Sequence, residues 1–311
     1  MGCGRMFVML AGGTGAAKLL QGMVRVVPRE EITVIVNTGD DLNWWGLHVS
    51  PDVDTICYSL AGVLDTARGW GLAGETFHCR DRMAAYGQPS WFNVGDRDLA
   101  THLYRTKRLR EGVPLSKVTA ELCDLLPVRA RVLPMSDDKV ETRIRMDGGE
   151  VPFQEFFVRR HHEGEVGSVR FDGAETARPA PGVLESLDQA EKIVIAPSNP
   201  VTSIGPILAV KGIREVLAKR RVRVAAISPI IGNSAVSGPA AKLMTALGLP
   251  VSPVGVASVY TGLAGTLVAD VSDRQLGPDL ARLGIKALFT ETIMRDPSEA
   301  ERLARATLNA L

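Results

Sequence analysis

The sequence predicts an α/β protein: a Rossmann-like, mostly parallel sheet with helices on both faces, plus an inserted helical and β-hairpin segment. Three observations carry this. Short apolar, β-branched runs alternate with stretches of helical spacing at both ends of the chain. Polar, glycine-, serine- or asparagine-rich loops follow the runs. The first run opens into Gly12-Gly13-Thr14-Gly15, a turn between a strand and a helix.

The elements follow in order. Residues 6–10 read as the first strand, and Lys18-Leu19-Leu20 begins the apolar pattern of the first helix. Ile32-Thr33-Val34-Ile35-Val36 is the second strand, ending in Asn37-Thr38-Gly39-Asp40-Asp41. Ser50-Pro51-Asp52-Val53-Asp54-Thr55 reads as a capping segment ahead of a helix over 56–64. Residues 65–128 are helix and loop, 133–138 a polar loop, and 140–146 with 151–158 a β-hairpin turned by Asp147-Gly148-Gly149. From 184 the alternation returns, with strands at 192–196, 222–228, near Val251, 266–271 and 286–290. Helices are expected over 204–210, from Pro239 through Leu247, and from Ser298. The chain is therefore expected to be one domain over 1–311, with a core of 1–64 and 184–311 and an insertion over 65–183.

At 311 residues there is ample apolar content for a core. Lys plus Arg (36) nearly balance Asp plus Glu (35), so global charge gives no reason to expect nucleic acid or a membrane surface as partner. Cys3, Cys57, Cys79 and Cys123 have no metal-ligand spacing and read as small buried hydrophobes in a reducing compartment. Met1-Gly2-Cys3 superficially suggests acylation, but position 6 is Met where that signal takes Ser or Thr. The expectation is a soluble, cytoplasmic protein.

In a parallel sheet of this kind the loops at 12–15, 37–41, 197–203 and 229–238 share the carboxyl edge, where ligands bind. A glycine loop entering a helix brings backbone N–H groups close to an anion, which points to a phosphate-bearing ligand. Packing needs alone would also explain the glycines. The loop is neither a Walker A sequence nor the dinucleotide fingerprint. Asp40, Asp41, Asp52 and Asp54 are ordinary turn residues taken singly, and hard ligands for Mg²⁺ if gathered beside the glycine loop. The rings of Trp44, Trp45, Trp70, Tyr86, Trp91 and Phe92 read first as core, and second as a stacking surface for a planar ligand. His161 and His162 receive no role.

Several blocks stand in order: Gly12-Gly13-Thr14-Gly15 with Lys18-Leu19; Val36-Asn37-Thr38-Gly39-Asp40-Asp41; Ser50-Pro51-Asp52-Val53-Asp54-Thr55; and Gly95-Asp96-Arg97-Asp98-Leu99-Ala100-Thr101-His102. Leu133-Pro134-Met135-Ser136-Asp137-Asp138, Phe153-Gln154-Glu155, Pro197-Ser198-Asn199-Pro200 and Ser228-Pro229-Ile230-Ile231-Gly232-Asn233 continue them. Together they resemble the 2-phospho-L-lactate transferase family of coenzyme F-420 biosynthesis over nearly the whole chain. The resemblance implies transfer of a 2-phospholactyl group from lactyl-2-diphospho-5'-guanosine to Fo, a deazariboflavin, with release of GMP. Enolpyruvyl and glyceryl donors differ from the lactyl one by a few atoms.

The resemblance also implies Mg²⁺ as cofactor, with Asp40 and Asp54 as ligands and catalytic residues and Asp41 and Asp52 in support. It implies Asp54 and Arg97 against Fo, and Gly12, Gly13, Thr14, Gly15, Lys18, Asn37, Ser198, Asn199 and Ser203 among the substrate-binding residues. A homodimer is expected by analogy. After Tyr260 the chain departs from the family, running Thr261-Gly262-Leu263-Ala264-Gly265-Thr266 where relatives are often acidic. The competing expectations are a nucleotide-binding regulator of the gluconeogenesis-factor type, which shares the sheet and first loop, and an NAD-dependent enzyme.

Overall fold

The computed structural model describes residues 5–311, so Met1-Gly2-Cys3 lies outside the described residues. The strands in chain order are β1 (Phe7–Ala11), β2 (Ile32–Val36), β3 (Leu42–Trp44), β4 (Leu47–Val49), β5 (Arg131–Pro134), β6 (Glu141–Met146) and β7 (Gly149–Pro152). They continue with β8 (Val166–Asp172), β9 (Lys192–Ile195), β10 (Val224–Ile227), β11 (Ile230–Ile231), β12 (Ser234–Ala235), β13 (Thr266–Asp270) and β14 (Lys286–Thr290). Seven of them form the central sheet in the order β14-β13-β10-β9-β1-β2-β5, every pair parallel.

Alternation along each strand explains why the sheet is covered on both faces. In β1, Phe7, Met9 and Ala11 enter one apolar cluster while Val8 and Leu10 enter the other. Helix α1 (Gly13–Val26) buries Leu19, Leu20 and Met23 on the first face, beside α2 (Pro51–Ala61) and the C-terminal helix Pro297–Asn309. The approach of α1 to that last helix is close: a Cβ on Gly22 would lie 2.2 Å from the backbone of Ala300.

The chain leaves β1 towards β2 and β5 on one side, and later towards β9, β10, β13 and β14 on the other. Strand order therefore reverses between β1 and β9, which opens a crevice at their carboxyl ends. Helices α3 (His78–Ala85), α4 (Asp98–Arg110) and α5 (Leu115–Leu125) lie between α2 and β5.

Several boundaries differ from the sequence reading. Arg131–Pro134, whose last two residues fall in the expected polar loop 133–138, is the edge strand β5, paired in register Thr33↔Arg131 with β2. Pro134 hid it, but an edge strand tolerates proline. The return strand of the hairpin stops at Pro152 and gives way to a π-helical turn, Glu155–Arg159, while β8 adds an unforeseen third strand to that sheet. No strand forms near Val251; Ser252 Oγ instead accepts from the Gly255 N–H at 3.2 Å and starts the helix Pro253–Val259. Pro239 caps the helix Ala240–Ala246 rather than occupying its first position. Both α1 and α2 begin earlier than expected, so Gly13, Asp52 and Asp54 stand in first helical turns.

Candidate active site

A cavity of about 610 Å³ opens at the crevice between β1 and β9. Gly12, Gly13, Thr14, Gly15 and Lys18 line one part of it, and Ser198, Asn199, Thr202 and Ser203 face them from beyond β9. The two loops approach closely. A Cβ on Gly12 would stand 2.8 Å from both Asp52 Oδ2 and Ser203 Cβ, and one on Gly15 would stand 2.4 Å from the Pro197 carbonyl oxygen. Packing between the loops therefore requires these two glycines whatever the cavity holds. The Ser198 hydroxyl donates to the Gly12 carbonyl at 2.7 Å and fastens the loops together. Asn199 Nδ2 and the Thr202 hydroxyl are buried without a protein partner, leaving donors for anionic oxygens.

Asp52 stands between two helix starts. It lies in the first turn of α2, and its Oδ1 accepts from the Gly13 N–H, the first residue of α1, at 2.8 Å. Asn37 Nδ2 donates to Asp52 Oδ2 at 2.9 Å. Burial nevertheless raises Asp52 to about 6, against the opposing effect of both hydrogen bonds. Burial, reinforced by the charge of Asp52, also lifts Asp40 well above the usual carboxylate range. Asp40 lines the cavity, and its Oδ1 has no hydrogen-bond partner.

This orphaned oxygen beside a second buried carboxylate fits a hard divalent cation. Asp54 is held differently from Asp40: both its oxygens accept from the guanidinium of Arg105, Oδ2 from Nη1 at 3.1 Å and Oδ1 from Nη2. Burial raises Asp54, and the Arg105 charge opposes that.

Arg105 belongs to a buried network between α2 and α4. Its Nη1 also donates to His102 Nδ1 at 3.3 Å, and His102 Nε2 lies 3.4 Å from Asp98 Oδ2. Tyr58 donates to Asp98 Oδ1 at 2.6 Å. Burial pushes Asp98 upward, but nearby His102, the Tyr58 hydroxyl and the Arg105 charge together hold it below the ordinary value. Asp54, Asp98 and His102 bring ligand atoms within 4.8 Å of one another. The Arg105 guanidinium already supplies the positive charge there.

Three of the expected residues lie outside the cavity lining. Asn37 is fully buried and holds Asp52. Asp41 turns to His48 and Ser50, 2.9 and 2.7 Å away, and faces a second cavity of about 650 Å³ on the other side of the 38–41 loop. Arg97 is exposed, with Nη1 on the Ala73 carbonyl at 2.8 Å. Its neighbours in sequence do reach the cavity: Phe92, Asn93 and Asp98 line it with Trp70. Trp44 and Trp91 pack edge to face at 4.7 Å and border the second cavity, while Tyr86 is exposed. Asn93, Tyr58, His102, Thr202 and Arg105 carried no individual signal in the sequence.

The profile of the 2-phospho-L-lactate transferase CofD family matches residues 7–280. The chain belongs to this family. A Streptomyces coelicolor protein named phosphoenolpyruvate transferase is 44% identical over 307 residues, 97% of this chain and 96% of that one. A Methanosarcina mazei protein named 2-phospho-L-lactate transferase is 42% identical over 303 residues, covering 97% and 99%. A Bacillus halodurans crystal structure, described as a member of the upf0052 family, superposes with a TM-score of 0.62 at 17% identity. It covers 98% of this chain and all of that one, and shows a shared fold. Among the described residues of this CofD-family chain, no helix is long and apolar enough to cross a membrane.

Proposed function

We propose that this chain transfers a 2-phospholactyl group from lactyl-2-diphospho-5'-guanosine to Fo, releasing GMP, as a step of coenzyme F-420 biosynthesis. The observation that carries the reading is the composition of one cavity. Its lining combines the hydroxyl and amide groups of the 12–15 and 197–203 loops with the rings of Trp70 and Phe92 and the carboxylates of Asp40, Asp52 and Asp54. A diphosphate suits the first set, a planar deazaflavin the second.

In the reaction a ribityl hydroxyl of Fo gives up its proton to solvent as its oxygen bonds to the lactate-bearing phosphorus, the bond from that phosphorus to the GMP oxygen breaks, and GMP leaves with that oxygen. Such transfers depend on positioning and charge neutralisation more than on covalent participation by the protein. Thr202 and Asn199 offer their unpartnered donors to the phosphate oxygens, with Lys18 adding positive charge at the rim. Asp40, with Asp52 beside it, would hold Mg²⁺, which neutralises the diphosphate when bound. Asp54 faces the acceptor, and the Asn93 amide replaces Arg97 in that role because it lines the cavity and Arg97 does not.

A second donor reading, enolpyruvyl in place of lactyl, draws support from the name of the Streptomyces coelicolor relative. The difference is a few atoms, worth about 1–3 kcal/mol of discrimination in a pocket. Purified protein incubated with Fo, Mg²⁺ and each guanosine diphosphate donor separately, followed by mass spectrometry, tests the proposal. An Fo adduct with stoichiometric GMP, lost under EDTA, is the expected result, and the donor consumed names the three-carbon group. Folded protein that binds Fo yet uses neither donor refutes both donor readings. Failure to bind Fo removes the acceptor and leaves a nucleotide-binding regulator as the reading to pursue.

A further inference from the structure

We infer that Arg105 is a positioning residue for the acceptor: it fixes Asp54 in the place from which that carboxylate meets Fo, and it touches no substrate itself. The inference rests on the acceptor assignment made above. Arg105 is 0% exposed and is absent from the cavity lining, whereas Asp54, Tyr58, Asp98 and His102 all line it. A planar guanidinium gripping both oxygens of one carboxylate sets the plane and direction of that carboxylate, which a single ammonium cannot do.

The grip is itself directed. Arg105 Nη1 also reaches His102 Nδ1 at 3.3 Å, and the far side of that ring, Nε2, lies 3.4 Å from Asp98 Oδ2. Asp98 is in turn held by the Tyr58 hydroxyl. Asp98, His102 and Arg105 recur at the spacing of one helix face on α4, opposite Asp54 and Tyr58 on α2. Phe92 and Asn93 lie just before α4 in the chain. The Asp54–Arg105 contact therefore ties the acceptor carboxylate to the helix that follows the acceptor wall. The loops facing the donor, 12–15 and 197–203, follow β1 and β9, and among the described residues Arg105 hydrogen-bonds only to Asp54 and His102.

The consequence is selective. Arg105→Lys keeps the charge and loses the fork, so it is expected to raise the Kd of Fo tenfold or more while the Kd of GDP changes less than twofold. Both are measured by titration on the full chain, with steady-state KM for acceptor and donor as the companion readout. Gly22→Ala, outside the cavity lining where α1 packs on the C-terminal helix, serves as a destabilised control that keeps wild-type Fo affinity.

Equal loss of Fo and GDP binding by Arg105→Lys, or a matching Fo loss in Gly22→Ala, would overturn the inference in favour of general loosening. Wild-type Fo affinity in Arg105→Lys would overturn it outright. Should Arg105→Lys not fold, Arg105→Gln, whose amide keeps one donor for Asp54 but loses the fork, must show the same Fo-selective loss. Wild-type protein that does not bind Fo overturns the acceptor assignment and this inference with it, an outcome distinct from the other two.

Discussion

The buried pair Asp40 and Asp52 makes the metal-free protein less stable as pH rises, opposite to the effect of a salt-bridged carboxylate. Asp52 moves from 3.8 to about 6 on folding. Between those values the native state binds more protons than the unfolded chain, so the contribution is full below about 3.8 and is lost as pH rises through about 6. The interval of about 2.2, at about 1.36 kcal/mol each, sets a limit of about 3 kcal/mol. From pH 5 to pH 7.5 the same linkage gives about 1 kcal/mol for Asp52 alone.

Asp52→Asn is the reference, since it cannot ionise and retains one acceptor for the Gly13 N–H. Urea unfolding of EDTA-treated wild type and variant at pH 5, 6, 7 and 7.5 measures the difference directly. Wild type is expected to lose about 1 kcal/mol relative to the variant across that range. A difference that stays flat, or that grows in favour of wild type with rising pH, refutes the argument that burial outweighs the hydrogen bonds from Asn37 and Gly13.

Three further outcomes follow from the geometry. Asp40→Asn keeps the shape but removes the charge behind the orphaned oxygen, and is expected to lower kcat about 10²–10³-fold in a donor-saturated assay and to weaken GDP binding measured with Mg²⁺ present. Arg97→Ala is expected to leave the acceptor KM within about twofold of wild type, since Arg97 is exposed and bonds Ala73; a tenfold rise would return Arg97 to the acceptor site. Gly22→Ala adds about 1 kcal/mol of helix propensity but sets a Cβ 2.2 Å from the Ala300 backbone, so a net loss of about 1–3 kcal/mol is expected in thermal unfolding.

Much of the sheet was legible because its strands are short apolar runs separated by polar loops at their carboxyl ends. β1, β2, β9, β13 and β14 fall where the sequence places them, and the reversal between β1 and β9 brings the loops at 12–15 and 197–203 together. Less legible were strands whose partners compensate for weak local signals. β5 ends in proline and β8 carries little alternation, yet both pair in register with distant segments. The residues near Val251 failed in the opposite direction, since a serine cap and Pro253 outweigh a short apolar stretch.

At the site, the sequence by itself determined which residue types are available: the glycines of the first turn, the aspartates of two loops, and the polar segment after β9. It also carried the family, through ordered blocks spread along most of the chain. Only the tertiary structure decided how those groups are used. It gave the Gly13 N–H to Asp52, the Asp54 carboxylate to Arg105, and Asp41 to His48 and Ser50, while leaving Asp40 Oδ1 unpartnered. The physical reason is range: Asp54 and Arg105 are 51 residues apart, and their pairing depends on the packing of α4 against α2. A carboxylate's partners, and therefore its charge and direction, are properties of that packing rather than of its neighbours in the chain.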